Sequence, residues 1–327
     1  RHIPEIFQNL KFLHGRCPLR VGEGIFYVSM PRNPIVVVLP SPSSIPYSQG
    51  KWGANAMAEQ SGIVQDHWTR EGTLARIDAV LREMGHDPEV VMPEILSGVE
   101  HLHSGGLATT QDQAEKLALG PDARVLDIGC GIGGPARYLA HTYGCHVDGI
   151  DLTPEMIETG QVLTRRCGLE DKVTLEIGNA MELAFPDQTF DVVWCQNVTM
   201  NIADQAGFLG QVYRVLKPGG KFTSTEYSTG PGGDVLYPVT WAYDAAINFL
   251  DSEDVMRAQF ADAGFSILDW TNYTAQAIDR LGQAAAAPSK LTNRLVFGDD
   301  TPERSGNVRR NLMEERIIYW MITAERN

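Results

Sequence analysis

The 327-residue sequence has no long apolar run. Its most continuous one, Ile35 to Leu39, stops at Pro40, far short of the roughly 18 residues that span a bilayer. Positive charge is also scarce: 27 Lys and Arg stand against 41 Asp and Glu, a formal net charge of −14. A nucleic-acid-binding surface normally needs a basic face, so that class is disfavoured. The five cysteines, Cys17, Cys130, Cys145, Cys167 and Cys195, form no C-x-x-C pair and no zinc-like spacing. They read as free thiols in a reducing compartment, with no metal site. There is no internal repeat. What remains is an ordinary soluble composition, 43% hydrophobic and 21% charged.

Residues 1–56 read differently from the rest. They start at Arg1, carry Pro31, Pro34, Pro40, Pro42 and Pro46, and hold six Lys or Arg against two acids. They are expected to be a non-core extension, an upstream translated stretch before Met57 or a targeting peptide. The expected location is cytoplasmic, or organellar if the segment is a targeting peptide. Residues 57–120 are expected to form an N-terminal helical cap. Leu74, Ile77, Val80, Leu81 and Met84 fall at helical spacing, Gly85 is a stop, and a second helix follows Pro88. A third is expected from about Thr109 to Leu119.

From residue 121 to 327 strand and helix alternate, the mark of a doubly wound α/β sheet. Strands are expected at Val125–Ile128, His146–Leu152, Lys172–Ile177, Phe190–Cys195, Lys221–Glu226, Phe265–Trp270 and Ile317–Ala324. Thr153-Pro-Glu155 is a helix start with a side-chain N-cap, Pro at N1 and an acid in the first turn. Insertions on the acceptor side are expected at about 230–260 and 275–315.

Val125-Leu-Asp-Ile-Gly-Cys-Gly-Ile-Gly-Gly134 places glycines at a strand-to-helix turn, where the backbone can approach a ligand closely. Gly129, Gly131 and Gly134 match G-x-G-x-x-G, which alone also suits a dinucleotide. Asp127 decides. At ~5 Å and an effective dielectric of ~20, each like-charge pair with a pyrophosphate would cost roughly 3 kcal/mol. The ammonium and sulfonium of S-adenosylmethionine are instead attracted by that carboxylate. Asp151, 24 residues on, can bind the ribose hydroxyls. Asn179 can accept from the adenine amino group, with Ile150, Leu152 and Met181 about the ring. A nicotinamide-dependent dehydrogenase is the disfavoured alternative.

Taken together, Asp127-Ile-Gly-Cys-Gly-Ile-Gly133, Asp151-Leu152, Gly178-Asn-Ala180, Phe190-Asp-Val-Val-Trp194 and Arg214-Val-Leu-Lys-Pro-Gly-Gly220 resemble the successive motifs of class I S-adenosylmethionine-dependent methyltransferases. They are most similar to the branch of the ubiquinone/menaquinone-biosynthesis, tocopherol and sarcosine/dimethylglycine enzymes. The resemblance covers roughly residues 100–275. It implies a Rossmann-like doubly wound seven-stranded sheet with its last strand, Ile317–Ala324, antiparallel. It implies S-adenosylmethionine as cofactor and S-adenosylhomocysteine as product. Asn179 departs from the acid usual there. The His101-Leu-His-Ser-Gly-Gly106 segment resembles one that closes the cofactor pocket in that branch. The cofactor-binding candidates are Asp127, Gly129, Cys130, Gly131, Asp151, Leu152, Asn179, Ala180, Met181, Gln196, Ser104 and Gly105.

Acceptor residues are expected after strand four, at Asn197, Met200 and Asn201, and on the segment Tyr237, Trp241 and Tyr243. Gly230-Pro-Gly-Gly233 would be a lid hinge, and His67 and Trp68 would close the same pocket. His103 and Glu226 are the candidate catalytic proton acceptors. Methyl displacement from sulfonium requires no metal. The expected partner is a small-molecule acceptor, amine or amino-acid-like ahead of a phenol or quinone. A non-catalytic S-adenosylmethionine sensor or scaffold stays open, as does the oligomeric state.

Overall fold

Short apolar runs bounded by glycine and capped helices bring seven strands into one sheet. The computed structural model describes residues 21–22, 25–28, 35–38, 54–286 and 289–327. The chain divides into two units, residues 1–52 and 53–327. In the first, β1 (Val21–Gly22), β2 (Ile25–Val28) and β3 (Ile35–Val38) pair antiparallel in that order. The rest of the expected extension lies outside the described residues, apart from its last three, Ala54–Ala56, which open a helix.

The second unit begins with four helices: α1 (Ala54–Trp68), α2 (Thr73–Glu83), α3 (Pro93–Glu100) and α4 (Gly106–Ala114). The alternating core follows: β4 (Arg124–Ile128), α5 (Gly134–Tyr143), β5 (His146–Asp151), α6 (Pro154–Arg166), β6 (Val173–Ile177), β7 (Phe190–Gln196), α7 (Gln205–Val215) and β8 (Leu216–Thr229). It ends with α8 (Glu253–Asp262), β9 (Phe265–Asn272), α9 (Thr274–Ala286), α10 (Arg294–Phe297), α11 (Thr301–Met313) and β10 (Ile317–Arg326).

The sheet order is β6-β5-β4-β7-β8-β10-β9. The pairs from β6 to β8 are parallel, and β10 runs antiparallel to both its neighbours. This is the expected seven-stranded Rossmann-like sheet. Chain order reverses between β4 and β7, so a ligand crevice opens beyond the carboxyl ends of those strands. The glycine loop lies at that point.

The cap is fastened to the core by a shared apolar cluster. Ile77, Leu81, Leu96 and Val99 from α2 and α3 pack with Ile132 of the glycine loop and Met156 and Leu163 of α6. Burying each such side chain contributes about 1.5–3 kcal/mol. Arg166 adds ionic ties across the same seam, to Asp78 at 2.7 Å and Glu89 at 2.8 Å.

Two local expectations are corrected. Thr153 makes no side-chain cap; it is Asp151 Oδ1 that accepts the Thr153 N–H, at 2.9 Å, because the strand-end acid is closer to the helix's open donors. Gly230-Pro-Gly-Gly233 is not arranged as a free hinge. The Gly230 and Gly232 N–H groups donate to Arg316 O and Glu315 O, each at 2.9 Å. A Cβ at Gly232 would lie 1.8 Å from Glu314 O, so glycine serves close backbone packing there.

Leu96→Ala should cost about 2–5 kcal/mol, because it opens a cavity between cap and glycine loop. Chemical denaturation would show it; a change within about 0.5 kcal/mol, the range of surface substitutions, would mean the cap is not packed as described.

Candidate active site

The glycine loop sits where β4 ends and takes its shape from left-handed backbone at Gly129 (φ 71°), Gly131 (53°) and Gly133 (81°). The N–H groups at its start are already used. Gly129 and Cys130 both donate to Ile150 O, at 2.8 and 3.0 Å, and Gly131 donates to Asp151 Oδ2 at 3.0 Å. With those donors spent internally, the start of the loop is poorly equipped to cradle a pyrophosphate, which agrees with the argument from Asp127.

Asp127 is 2% exposed and its Oδ2 has no hydrogen-bond partner among the described residues. Burial, and secondarily the charge of Asp151, push its carboxyl up to about 8. A buried acceptor left unpaired asks for a donor, and a cationic one answers both the orphaned oxygen and the raised pKa. The ammonium of S-adenosylmethionine is such a group, so the residues present fit that cofactor. Asp151 is half-buried, and both its oxygens accept backbone N–H bonds, from Gly131 and Thr153. Each oxygen keeps a lone pair for a ribose hydroxyl. Asn179 Oδ1 accepts from Met181 N at 2.9 Å. It is thereby turned into its own loop, and its adenine role rests on the oxygen's second lone pair. Leu152, Ala180 and Met181 are half-buried around it, and Cys130 is buried behind the loop with its thiol raised well above the ordinary range by burial.

The His101–Gly106 segment folds over the ends of β7 and β8. His101 Nδ1 and His103 Nε2 flank the Thr110 hydroxyl at 3.0 and 2.9 Å. Thr110 donates to Gln196 Oε1 at 3.4 Å, Gln196 Nε2 to Gln113 at 2.9 Å, and Gln113 to Thr223 at 3.2 Å. Burial pushes His103 down to about 4 and His101 well below its ordinary value, so both rings are neutral at pH 7. Ser104 Oγ meets the Tyr227 hydroxyl. Gly105 (φ 87°) is obligatory: a Cβ there would lie 2.1 Å from Thr109 Oγ1 and 2.9 Å from Arg280 Cδ.

The acceptor-side residues divide. Asn197, in left-handed backbone (φ 56°), accepts from Tyr319 OH at 2.8 Å and Thr225 Oγ1 at 3.2 Å. Tyr227 lies between Trp241 and Tyr319, each with ring centroid 4.7 Å away, forming an aromatic wall next to Ser104. Met200 is buried beside this wall. Asn201 is a tether: its amide donates to Trp241 O (3.1 Å) and Ile247 O (2.7 Å) while its oxygen accepts from Trp68 Nε1 (3.1 Å). Tyr237 is half-buried and shares Asn248 with Trp241. Tyr243 is 55% exposed and does not join the wall. It packs with His67 and Arg304 on a separate cavity of about 500 Å³ lined by Trp68, Phe297 and Asp300.

Glu226 does not face an acceptor either. Its Oε2 accepts from Thr199 Oγ1 at 2.6 Å and Thr199 N at 3.3 Å, and Oε1 from Cys195 Sγ at 3.5 Å. Side chains alternate along β8, so Thr225 and Tyr227 face the wall and Glu226 the other side. Burial raises its carboxyl to about 7, yet its geometry is that of a brace for the Thr199–Asn201 turn. Sequence reasoning missed Tyr227, Tyr319, Thr110, Gln113, Glu100, Arg137 and Arg280. Only Thr110 and Gln113, three apart on one helix face beside the histidines, carried a local signal. Among the described residues, no group of three His, Cys, Asp or Glu is placed to hold a metal ion, and no helix is long and apolar enough to cross a membrane.

Residues 126–224 match the methyltransferase domain family, and the sheet around them has that fold. The chain is similar to phosphoethanolamine N-methyltransferase 1 of Zea mays, at 38% identity over 53% of this chain and 34% of that protein. It is likewise similar to 2-methyl-6-phytyl-1,4-hydroquinone methyltransferase of Synechocystis, at 37% identity over 47% of each chain. The chain thus spans about a third of the maize protein's length. Among solved structures, Haemonchus contortus phosphoethanolamine N-methyltransferase 2, bound to phosphomonomethylethanolamine and S-adenosylhomocysteine, superposes with a TM-score of 0.61. It is 20% identical over 80% of this chain and 60% of that one. Residues 126–224 therefore match a methyltransferase domain, and the chain is similar to proteins named as phosphoethanolamine and hydroquinone methyltransferases.

A cationic partner lowers the Asp127 pKa, so cofactor binding should expel a proton and weaken as pH falls below about 8. Calorimetry at pH 7 in buffers of different ionisation enthalpy should register release of about one proton per S-adenosylmethionine bound. Binding without proton release would mean that Asp127 is already ionised, or is not met by the ammonium.

Proposed function

We propose that this chain transfers the methyl group of S-adenosylmethionine to a small-molecule acceptor, an amine or amino-acid-like compound foremost. The observation that carries the reading is the buried, unpartnered carboxyl of Asp127 beneath a glycine loop whose first three donors are spent. The chain's net charge of −14 and the similarity to small-molecule methyltransferases support an acceptor other than nucleic acid.

The residues contribute mainly position. Asp127 would hold the cofactor's ammonium, Asp151 the ribose, and Leu152, Asn179, Ala180 and Met181 the adenine. When bound, the cofactor supplies an electrophilic methyl group on a cationic sulfur. Ser104, Tyr227 and Asn197 border the place where the nucleophile would approach, and orientation of reactants is worth several kcal/mol. Neither candidate base is poised as one: His103 is a weak base held by Thr110, and Glu226 is committed to Thr199. A nucleophile that arrives neutral, such as a free amine, needs no base at the transfer step, and this favours the amine. A phenol or quinol acceptor is the second reading, supported by the stacked Trp241, Tyr227 and Tyr319 and by similarity to the hydroquinone enzyme.

The decisive experiment is turnover of S-adenosylmethionine with matched panels of amines, amino acids, phenols and quinols, with S-adenosylhomocysteine as the readout. Amine-dependent turnover is expected. Binding of S-adenosylhomocysteine without turnover by any acceptor would point to a sensor, and no binding at all would overturn the cofactor assignment. Asp127→Asn should raise the Kd for S-adenosylhomocysteine roughly 10- to 100-fold, as loss of one charge-assisted buried bond does.

A further inference from the structure

A buried ion pair lies just outside the cofactor-facing residues. Arg137, on the first turn of α5, has a fully buried side chain, as does Glu100 at the end of α3; Nη2 donates to Glu100 Oε2 at 2.7 Å. The same guanidinium donates to Ile132 O of the glycine loop at 2.8 Å, and to Gly160 O and Thr164 Oγ1 of α6 at 3.2 and 3.1 Å. Four donors of one side chain thus bind the cofactor loop, the helix after β5 and the cap. The approach is close: a Cβ at Gly134 would lie 2.4 Å from Glu100 O.

Glu100 continues the connection. Its Oε1 lies 3.9 Å from His101 Nε2. His101 Nδ1 then reaches the Thr110 hydroxyl at 3.0 Å, and His103 Nε2 meets that hydroxyl at 2.9 Å. From the back of the glycine loop the connection therefore runs through the adjacent residues Glu100 and His101, whose side chains are too far apart to hydrogen-bond, and on through Thr110 to the His103-Ser104-Gly105 turn. A dry ion pair is a poor source of net stability, because desolvation consumes most of the Coulombic gain, and apolar residues of similar volume often do as well. What such a pair supplies is a fixed geometry.

We infer that Arg137 and Glu100 are positioning residues for cofactor binding, holding the glycine loop and the histidine segment in register as the two walls of one site. The inference rests on the S-adenosylmethionine reading above. Neither residue touches the cofactor; each acts through Ile132 and His101.

The test uses the whole chain and three variants: Glu100→Gln, Arg137→Lys, and the double replacement Glu100→Met with Arg137→Met. Two quantities are read: the histidine ring signals by NMR without ligand, and the Kd for S-adenosylhomocysteine by calorimetry. In Glu100→Gln the His101 and His103 signals should shift in the ligand-free protein, and Kd should rise roughly tenfold, the effect of losing one charge-assisted contact. Arg137→Lys keeps the charge but loses the fork, so it should weaken binding similarly. The double variant should fold, because it leaves no lone buried charge, yet still bind weakly. A folded double variant with wild-type Kd and unmoved histidine signals would falsify the inference and leave the pair a purely structural element. If wild type itself fails to bind, the cofactor reading falls, while the ligand-free histidine signals still decide whether the pair sets that segment.

Discussion

The site depends on one unpaired buried acid. Asp127 is the penultimate residue of β4, at the point where strand order reverses, so both neighbouring strands and the loop that follows crowd its carboxyl away from water. Among the described residues nothing donates to its Oδ2. In a folded chain such a group is expensive unless something arrives to pair with it. The surrounding loop narrows the choice of visitor: the amides of Gly129, Cys130 and Gly131 are turned inward to Ile150 and Asp151, away from any anion. Cation-seeking character thus comes from where backbone donors have been spent as much as from the acid itself.

The core was legible because its signals are local. A short apolar run, a glycine turn and a Pro-started helix each fit within about a dozen residues, and their alternation specifies a parallel sheet with little ambiguity. Asp127 and Asp151 could be proposed from sequence because strand ends in such sheets have only one place to point. The acceptor side was not legible in the same way. Tyr227 and Tyr319 are 92 residues apart in the chain but stack because β8 and β10 pair antiparallel in the register Tyr319 to Tyr227. No window of sequence contains that fact. The Arg137–Glu100 pair is hidden for the same reason, and its members look like ordinary helical charges.

Glu226 shows where a chemically reasonable guess meets a geometric rule. An acid at the end of a central strand is a natural candidate base, yet strand alternation sends it to the face opposite Tyr227, where Thr199 and Cys195 occupy both its oxygens. One residue's shift in register would reverse the assignment. The glycines at 230–233 make the parallel point for flexibility. Their freedom is used to let two backbones touch, so glycine content alone did not mark a moving part.

The acceptor wall and the cap are coupled through few atoms, and this bears on how the site could change shape. Asn201 alone bonds Trp68 of α1, the backbone of Trp241 and the backbone of Ile247. Glu226 holds the turn on which Asn201 rides, through Thr199. Any outward movement of α1 must therefore either break the Trp68 bond or pull the turn and the aromatic wall with it. A carboxylate buried behind that turn is then useful without ever meeting a substrate. Its two bonds to Thr199 set where Asn201 sits, and Asn201 sets where the cap and the wall meet. Substrate access and wall geometry are in this way one mechanical problem, shared between Asn201, the His67 bond to Thr240 O and the Ser104 contact with Tyr227.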